Sequence, residues 1–135
     1  MAPLLEPGRV LVVDDMQPNR LLARAYLEIL GWTVNECASA LSALGYLDRR
    51  TPDYILLDIR MPDIDGIALA ALIRQKCPVG TVKLIAYTAL AQAEEVARIR
   101  ASGFDGVLIK PVSLEEMTAM FGSRAHEALL WAMNR

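Results

Sequence analysis

The sequence predicts an α/β fold in which one parallel sheet lies between two layers of helices. Three observations carry this. Short apolar runs alternate with stretches of helical spacing along the whole chain, the runs are apolar on both faces, and 135 residues make one domain. Strands apolar on both faces are covered on both sides, which parallel sheets achieve through right-handed helical crossovers. The class is therefore α/β, three-layered and doubly wound, built from five β–α units.

A strand at about 9–13 precedes a helix over about 18–30, where Leu21, Leu22, Ala25 and Ile29 recur at helical spacing and Gly31 stops the run. Thr33 to Cys37 is short and β-leaning. A second helix over about 40–49 ends before Thr51-Pro52, because the residue preceding a proline resists helical geometry. The third strand covers about 53–57, Pro62 to Gly66 breaks the chain, and about 67–76 forms a helix dense in alanine and leucine. Cys77-Pro78-Val79-Gly80 closes that helix. Val82 to Tyr87 is a fourth strand, leading to Thr88 and a helix of about 91–101 that ends at Gly103. The fifth strand, about 105–109, gives way to Lys110-Pro111, and Ser113 with Glu116 is a capping box for the next helix. Gly122-Ser123 then interrupts, while Ala125, Ala128, Leu129 and Trp131-Ala132 continue an apolar stripe. Either the helix bends there or a sixth short helix follows.

This divides the chain into an N-terminal extension (1–8), a main domain (9–121) and a C-terminal helical extension (122–135). The composition, 54% hydrophobic and 22% charged, is globular, and no apolar run approaches the roughly 20 residues of a bilayer span. Met1 to Gly8 lacks the pattern of a signal peptide, so a cytoplasmic location and no membrane association are expected. The net charge is −2 with dispersed basic residues, which leaves no electrostatic footprint for nucleic acid. Cys37 and Cys77 lack metal-ligand spacing and read as reduced packing residues, and His126 reads as a helix-surface residue.

The chemistry lies at the ends of the strands. Val10-Leu11-Val12-Val13 runs into Asp14-Asp15, Tyr54-Ile55-Leu56-Leu57 into Asp58, and Val107-Leu108-Ile109 into Lys110. In doubly wound sheets, ligands bind beyond the carboxyl ends of the strands where the strand order reverses. If the order is 2-1-3-4-5, one rim collects Asp14, Asp15, Asp58, Thr88 and Lys110. Packed carboxylates raise one another's pKa unless a cation intervenes, and oxygen-only donors favour a hard ion such as Mg²⁺. A carboxylate beside such an ion can act as a nucleophile toward phosphorus, with Lys110 and Thr88 holding the remaining phosphoryl oxygens. Taken singly, each residue has an ordinary reading: Asp14 or Asp15 as a turn former, Thr88 as a helix N-cap, Lys110 as a solvated loop lysine, Asp63 and Asp65 as turn acids. Their joint placement at separate strand ends argues for a site.

These residues resemble the receiver domains of bacterial response regulators over about 9–121, through Val10-Leu11-Val12-Val13-Asp14-Asp15, Leu56-Leu57-Asp58-Ile59-Arg60-Met61-Pro62-Asp63-Ile64-Asp65-Gly66, Tyr87-Thr88-Ala89 and Lys110-Pro111. The resemblance implies a flavodoxin-like sheet of order 2-1-3-4-5; that order comes from the family and not from the spacing. It implies Asp58 as phosphoacceptor from a phosphohistidine on a histidine kinase or phosphotransfer protein. It also implies Asp15 as the main Mg²⁺ ligand, supported by Asp14, Asp58 and the Arg60 backbone carbonyl. Lys110 would pair with the phosphoryl group, Thr88 would swing toward it, and the peptide before Pro111 would be cis. The output would be binding to a downstream protein, with no enzymatic activity beyond self-phosphorylation from phosphodonors and autodephosphorylation.

The chain departs from the family at Val107, and Arg60 and Leu90 are two further modulating positions. Val107 stands where the family carries a switch aromatic, three residues before the lysine, so a weaker or differently routed conformational change is expected. Arg60 and Leu90 flank the phosphoryl site at positions that influence the lifetime of the phosphate, and Arg60 either covers the acyl phosphate or lies in solvent. Gln17-Pro18-Asn19-Arg20-Leu21 is similar to receivers of hybrid kinases and phosphorelays. The C-terminal stripe either mediates a homodimer with Trp131 as an anchor or packs on its own sheet. Two other functions compete: a phosphate-independent binding platform, which Val107 favours, and a Mg²⁺-dependent phosphohydrolase, for which a cap domain is missing.

Overall fold

A computed structural model describes residues 8–78, 80–89 and 92–134. Five parallel strands, β1 (Arg9–Val13), β2 (Thr33–Cys37), β3 (Tyr54–Asp58), β4 (Lys83–Thr88) and β5 (Gly106–Ile109), form one sheet in the order β2-β1-β3-β4-β5. The helices are α1 (Gln17–Ile29), α2 (Ala40–Leu47), α3 (Gly66–Lys76), α4 (Ala93–Ala101), α5 (Leu114–Phe121) and α6 (Ala125–Met133). The expected class and strand order are both observed. Among the described residues no helix is long and apolar enough to cross a membrane.

Side-chain alternation divides the strands between two cores. Leu11, Val13, Ile55, Leu57, Leu84 and Ala86 pack with α2, α3 and α4, while Val10, Val12, Leu56, Ile85, Tyr87 and Leu108 pack with α1 and α5. The period of two thus serves both faces at once, which is why the runs are apolar at consecutive positions. Register fixes the rim: Val13 pairs with Cys37 and Leu57, Asp58 with Tyr87, and Thr88 with Ile109.

Local signals account for most boundaries. Gly31 (φ 87°) follows α1, and Ser113 with Glu116 forms the expected capping box on α5. Thr88, for which a helix cap is the ordinary reading when it is taken singly, is instead the last residue of β4, and Gln92 precedes α4, so it stands at a strand end as the joint placement requires. Asp63 is more than a turn acid, since its carboxylate accepts from the Ala40 N–H (3.0 Å) and so joins the loop after β3 to the start of α2. Asp65 opens α3 as expected, accepting from the Ala68 N–H (2.8 Å).

The C-terminal alternative resolves as a separate sixth helix. Gly122 (φ 71°) ends α5, the Arg124 N–H donates to Leu30 O (2.5 Å) and the Trp32 indole N–H to Gly122 O (3.2 Å). These bonds tie the start of α6 to the end of α1 and the turn before β2. No residue of α6 is fully buried, and Leu129 and Met133 are exposed. His126 lies on the exposed surface of this helix, as expected.

Candidate functional site

The site forms where β1, β3 and β5 end. Asp14 follows Val13 and so turns toward the α1/α5 side, and the same alternation sends Asp58 and Lys110 to that side. Asp14 is wholly buried and held at four points. Its N–H donates to Cys37 O (3.1 Å), its carbonyl accepts from the Arg20 guanidinium (2.7 Å), Oδ1 accepts from the Met16 N–H (2.9 Å), and Oδ2 accepts from Lys110 Nζ (2.8 Å). Arg20 is itself held by Glu36 at the end of β2 (3.2 Å). This anchor of the acid pair was absent from the sequence reading, because it links residues whose proximity depends on the β1–β2 register.

Asp58 is 5% exposed. Its Oδ1 accepts from the Arg60 N–H (3.2 Å) and lies 3.4 Å from Lys110 Nζ. Burial, then the charge of Asp14, push its carboxyl up to about 6, and Lys110 and the Arg60 N–H only partly oppose this. Asp15 is the most exposed of the three acids, and oxygens of Asp14, Asp15 and Asp58 lie within 4.8 Å of one another. Three converging carboxylate oxygens without nitrogen or sulfur donors form a donor set that suits Mg²⁺, which keeps waters and phosphate oxygens on its remaining positions.

Lys110 follows β5 through a cis peptide to Pro111, as the resemblance implied, and its side chain is 13% exposed. Its N–H donates to Thr88 O (2.8 Å), and its ammonium lies 4.8 Å from the centroid of the Tyr87 ring. Tyr87 is fully buried, and burial with the nearby Asp14 charge pushes its phenol up to about 12, so it stays neutral. Thr88 is also buried, and alternation places it on the side opposite Tyr87. The sequence marked Tyr87 only as the end of the fourth strand and the first residue of Tyr87-Thr88-Ala89.

The modulating positions fall differently. Arg60 is exposed, and with Ile59, Asp65, Ile67, Glu95 and Arg98 it lines a cleft of about 440 Å³ between the loop after β3, α3 and α4. Val107 is half-buried against the core beneath α2, α3 and α4. Leu90 lies outside the described residues.

The family model for the response regulator receiver domain matches residues 10–121. The chain is 37% identical over 127 residues to the virulence sensor protein BvgS of Bordetella bronchiseptica, covering 90% of this chain and 10% of that protein. It is 30% identical over 108 residues to the polar-differentiation response regulator DivK of Brucella anthropi, covering 80% of this chain and 88% of DivK. The chain thus spans about a tenth of the sensor protein's length and most of DivK's. In structure it is similar to a response regulator receiver domain protein from Methanospirillum hungatei, with a TM-score of 0.78, 25% identity, and coverage of 93% of this chain and 98% of the other.

Proposed function

The chain belongs to the response regulator receiver domain family, a signalling module of two-component systems, and from that membership we propose that Asp58 is its phosphoacceptor. The observation that carries the reading is the convergence of Asp58, Asp14 and Lys110, with Lys110 Nζ 2.8 Å from Asp14 and 3.4 Å from Asp58. In the transfer, an Asp58 oxygen bonds to phosphorus while the bond from phosphorus to the donor histidine nitrogen breaks, and the electron pair leaves with the imidazole. Asp58 must be ionised to attack. A carboxyl that titrates near 6 is mostly ionised at neutral pH and more basic than an ordinary aspartate. Lys110 then exchanges a carboxylate partner for phosphoryl oxygens, and Thr88, which alternation turns to the other side of the sheet at the end of β4, would swing its hydroxyl toward the phosphoryl group.

Asp15, Asp14 and Asp58, with the Arg60 backbone carbonyl, would hold Mg²⁺. When bound, the ion neutralises the clustered carboxylates and the incoming phosphoryl charge. The phosphodonor is a histidine kinase or histidine phosphotransfer protein, the output is binding to a downstream protein, and the location is cytoplasmic. Self-phosphorylation from small phosphodonors and autodephosphorylation are the only catalysis we assign. With valine at 107, phosphorylation drives a conformational change that is weaker, or differently routed, than one relayed by an aromatic there. The main domain is 9–121, with extensions on either side. Exposed Leu129 and Met133 support a homodimer through α6, tested by light scattering of the chain truncated after Gly122; an unaltered mass sinks the dimer. The phosphate-independent platform and the phosphohydrolase are not favoured.

The test of the acceptor is intact mass after incubation with Mg²⁺ and a small phosphodonor. The wild type gains one phosphoryl group and Asp58→Asn gains none. A wild type that gains none removes the assignment.

A further inference from the structure

We propose that Tyr87 is a positioning residue for phosphoryl transfer, its ring forming the floor on which the Lys110 ammonium rests beside Asp58. Tyr87 and Asp58 are cross-strand partners in the β3–β4 register, and alternation places both on the α1/α5 side of the sheet. Lys110 comes from β5 onto the same side, where its ammonium meets Asp14 at 2.8 Å, Asp58 at 3.4 Å and the Tyr87 ring at 4.8 Å from the centroid.

The three contacts differ in kind. The two carboxylates flank the ammonium, and neither is a constant partner: Asp58 becomes an acyl phosphate, and Asp14, by the reading above, would help to hold Mg²⁺. The ring is the contact that chemistry leaves unchanged. A cation lying over an aromatic face is attracted by the ring quadrupole within about 6 Å, most strongly where water is excluded. That attraction tolerates small lateral displacements, so Lys110 can turn from Asp14 toward phosphoryl oxygens without losing its support. The ring is fixed by complete burial among Val12, Leu108 and Val112. This assigns the chain's aromatic at position 87 a task distinct from that of a mobile switch aromatic at 107.

The proposal rests on Asp58 as phosphoacceptor, and two measurements separate their failures. The chain has only three lysines, Lys76, Lys83 and Lys110. Lys76 is a surface residue paired with Asp48, so it serves as the reference in a side-chain NMR spectrum. In the wild type and in Tyr87→Phe, the Lys110 ε-methylene protons are expected upfield of those of Lys76 by the ring current; in Tyr87→Leu that displacement is lost. With saturating Mg²⁺ and a small phosphodonor, Tyr87→Leu is expected to lose about three- to tenfold in phosphorylation rate, while Tyr87→Phe stays within about twofold of wild type. Mg²⁺ affinity measured with the metal alone stays within about twofold in both, which general loss of structure would not allow. Phosphate uptake by a wild type whose Lys110 protons are not displaced overturns the proposal alone. So does a Tyr87→Leu variant phosphorylated at the wild-type rate, or a Tyr87→Phe variant as impaired as Tyr87→Leu. A wild type that takes up no phosphate overturns the acceptor reading, and this proposal with it.

Discussion

Asp58→Asn is expected to stabilise the metal-free protein while abolishing its phosphorylation. Asp58 is 5% exposed and shares its pocket with the fully buried Asp14, and these two influences raise its carboxyl from 3.8 to about 6. In the unfolded chain the group returns to its ordinary value. Between those two values the folded state binds more protons than the unfolded state, so stability falls as pH rises through the window. Above it the penalty is complete and amounts to about 3 kcal/mol, at 1.36 kcal/mol for each tenfold change. Asparagine keeps an acceptor for the Arg60 N–H but carries no charge, so the variant escapes most of this penalty. In urea at pH 8 with a chelator, an increase of about 2–3 kcal/mol should appear as a midpoint roughly 1 M or more higher. The difference should shrink progressively below pH 6, to about 0.5 kcal/mol at pH 4, and vanish near pH 3, below both values, where the wild-type carboxyl is protonated in both states. Added Mg²⁺ should narrow it at pH 8 by stabilising the wild type in proportion to occupancy. A variant no more stable than wild type at pH 8, or an advantage that persists undiminished at pH 3, refutes the reasoning.

Further substitutions test the same pocket from other sides. Lys110→Met should act with the opposite sign, lowering metal-free stability by about 3–5 kcal/mol in urea, because it leaves the buried Asp14 carboxylate without its cation. Mg²⁺ affinity by calorimetry should be constant above pH 7, fall about twofold by pH 6 as protons compete at Asp58, and approach a tenfold loss per pH unit below that. Gly66→Ala should cost about 1–3 kcal/mol by thermal or urea unfolding, since a Cβ there would stand 2.6 Å from Asp58 O and 2.7 Å from Ile59 Cα, both backbone atoms. That strain falls on the backbone at the end of β3, which bears Asp58, so the phosphorylation rate should drop as well.

What the sequence made legible was governed by short-range pattern. Alternation of apolar runs with helical spacing was enough for a covered parallel sheet, and Ser113 with Glu116 marked a helix start because both partners of a capping box lie within one turn. The carboxylates were recognisable because strand ends converge on one rim. Contacts joining distant parts of the chain carried no such signal. Asp63 caps Ala40 across 23 residues, and Lys110 reaches Asp14 across 96. Thr88 taken singly was ambiguous for a related reason: a threonine ahead of a helical stretch looks the same whether it closes a strand or opens a helix, and the β4–β5 register decides for the strand. Tyr87 shows the limit most directly. Its place under Lys110 follows from alternation once Asp58 is known to pair with it, yet that pairing depends on the β3–β4 register, which the sequence pattern alone does not specify. The chemistry of the pocket was therefore readable from residue types at strand ends, whereas the support of its cation belongs to strand register. Substitutions that shift β4 against β3 by one residue would turn Tyr87 to the opposite face and remove that support, although Asp14, Asp58 and Lys110 all remained in the chain.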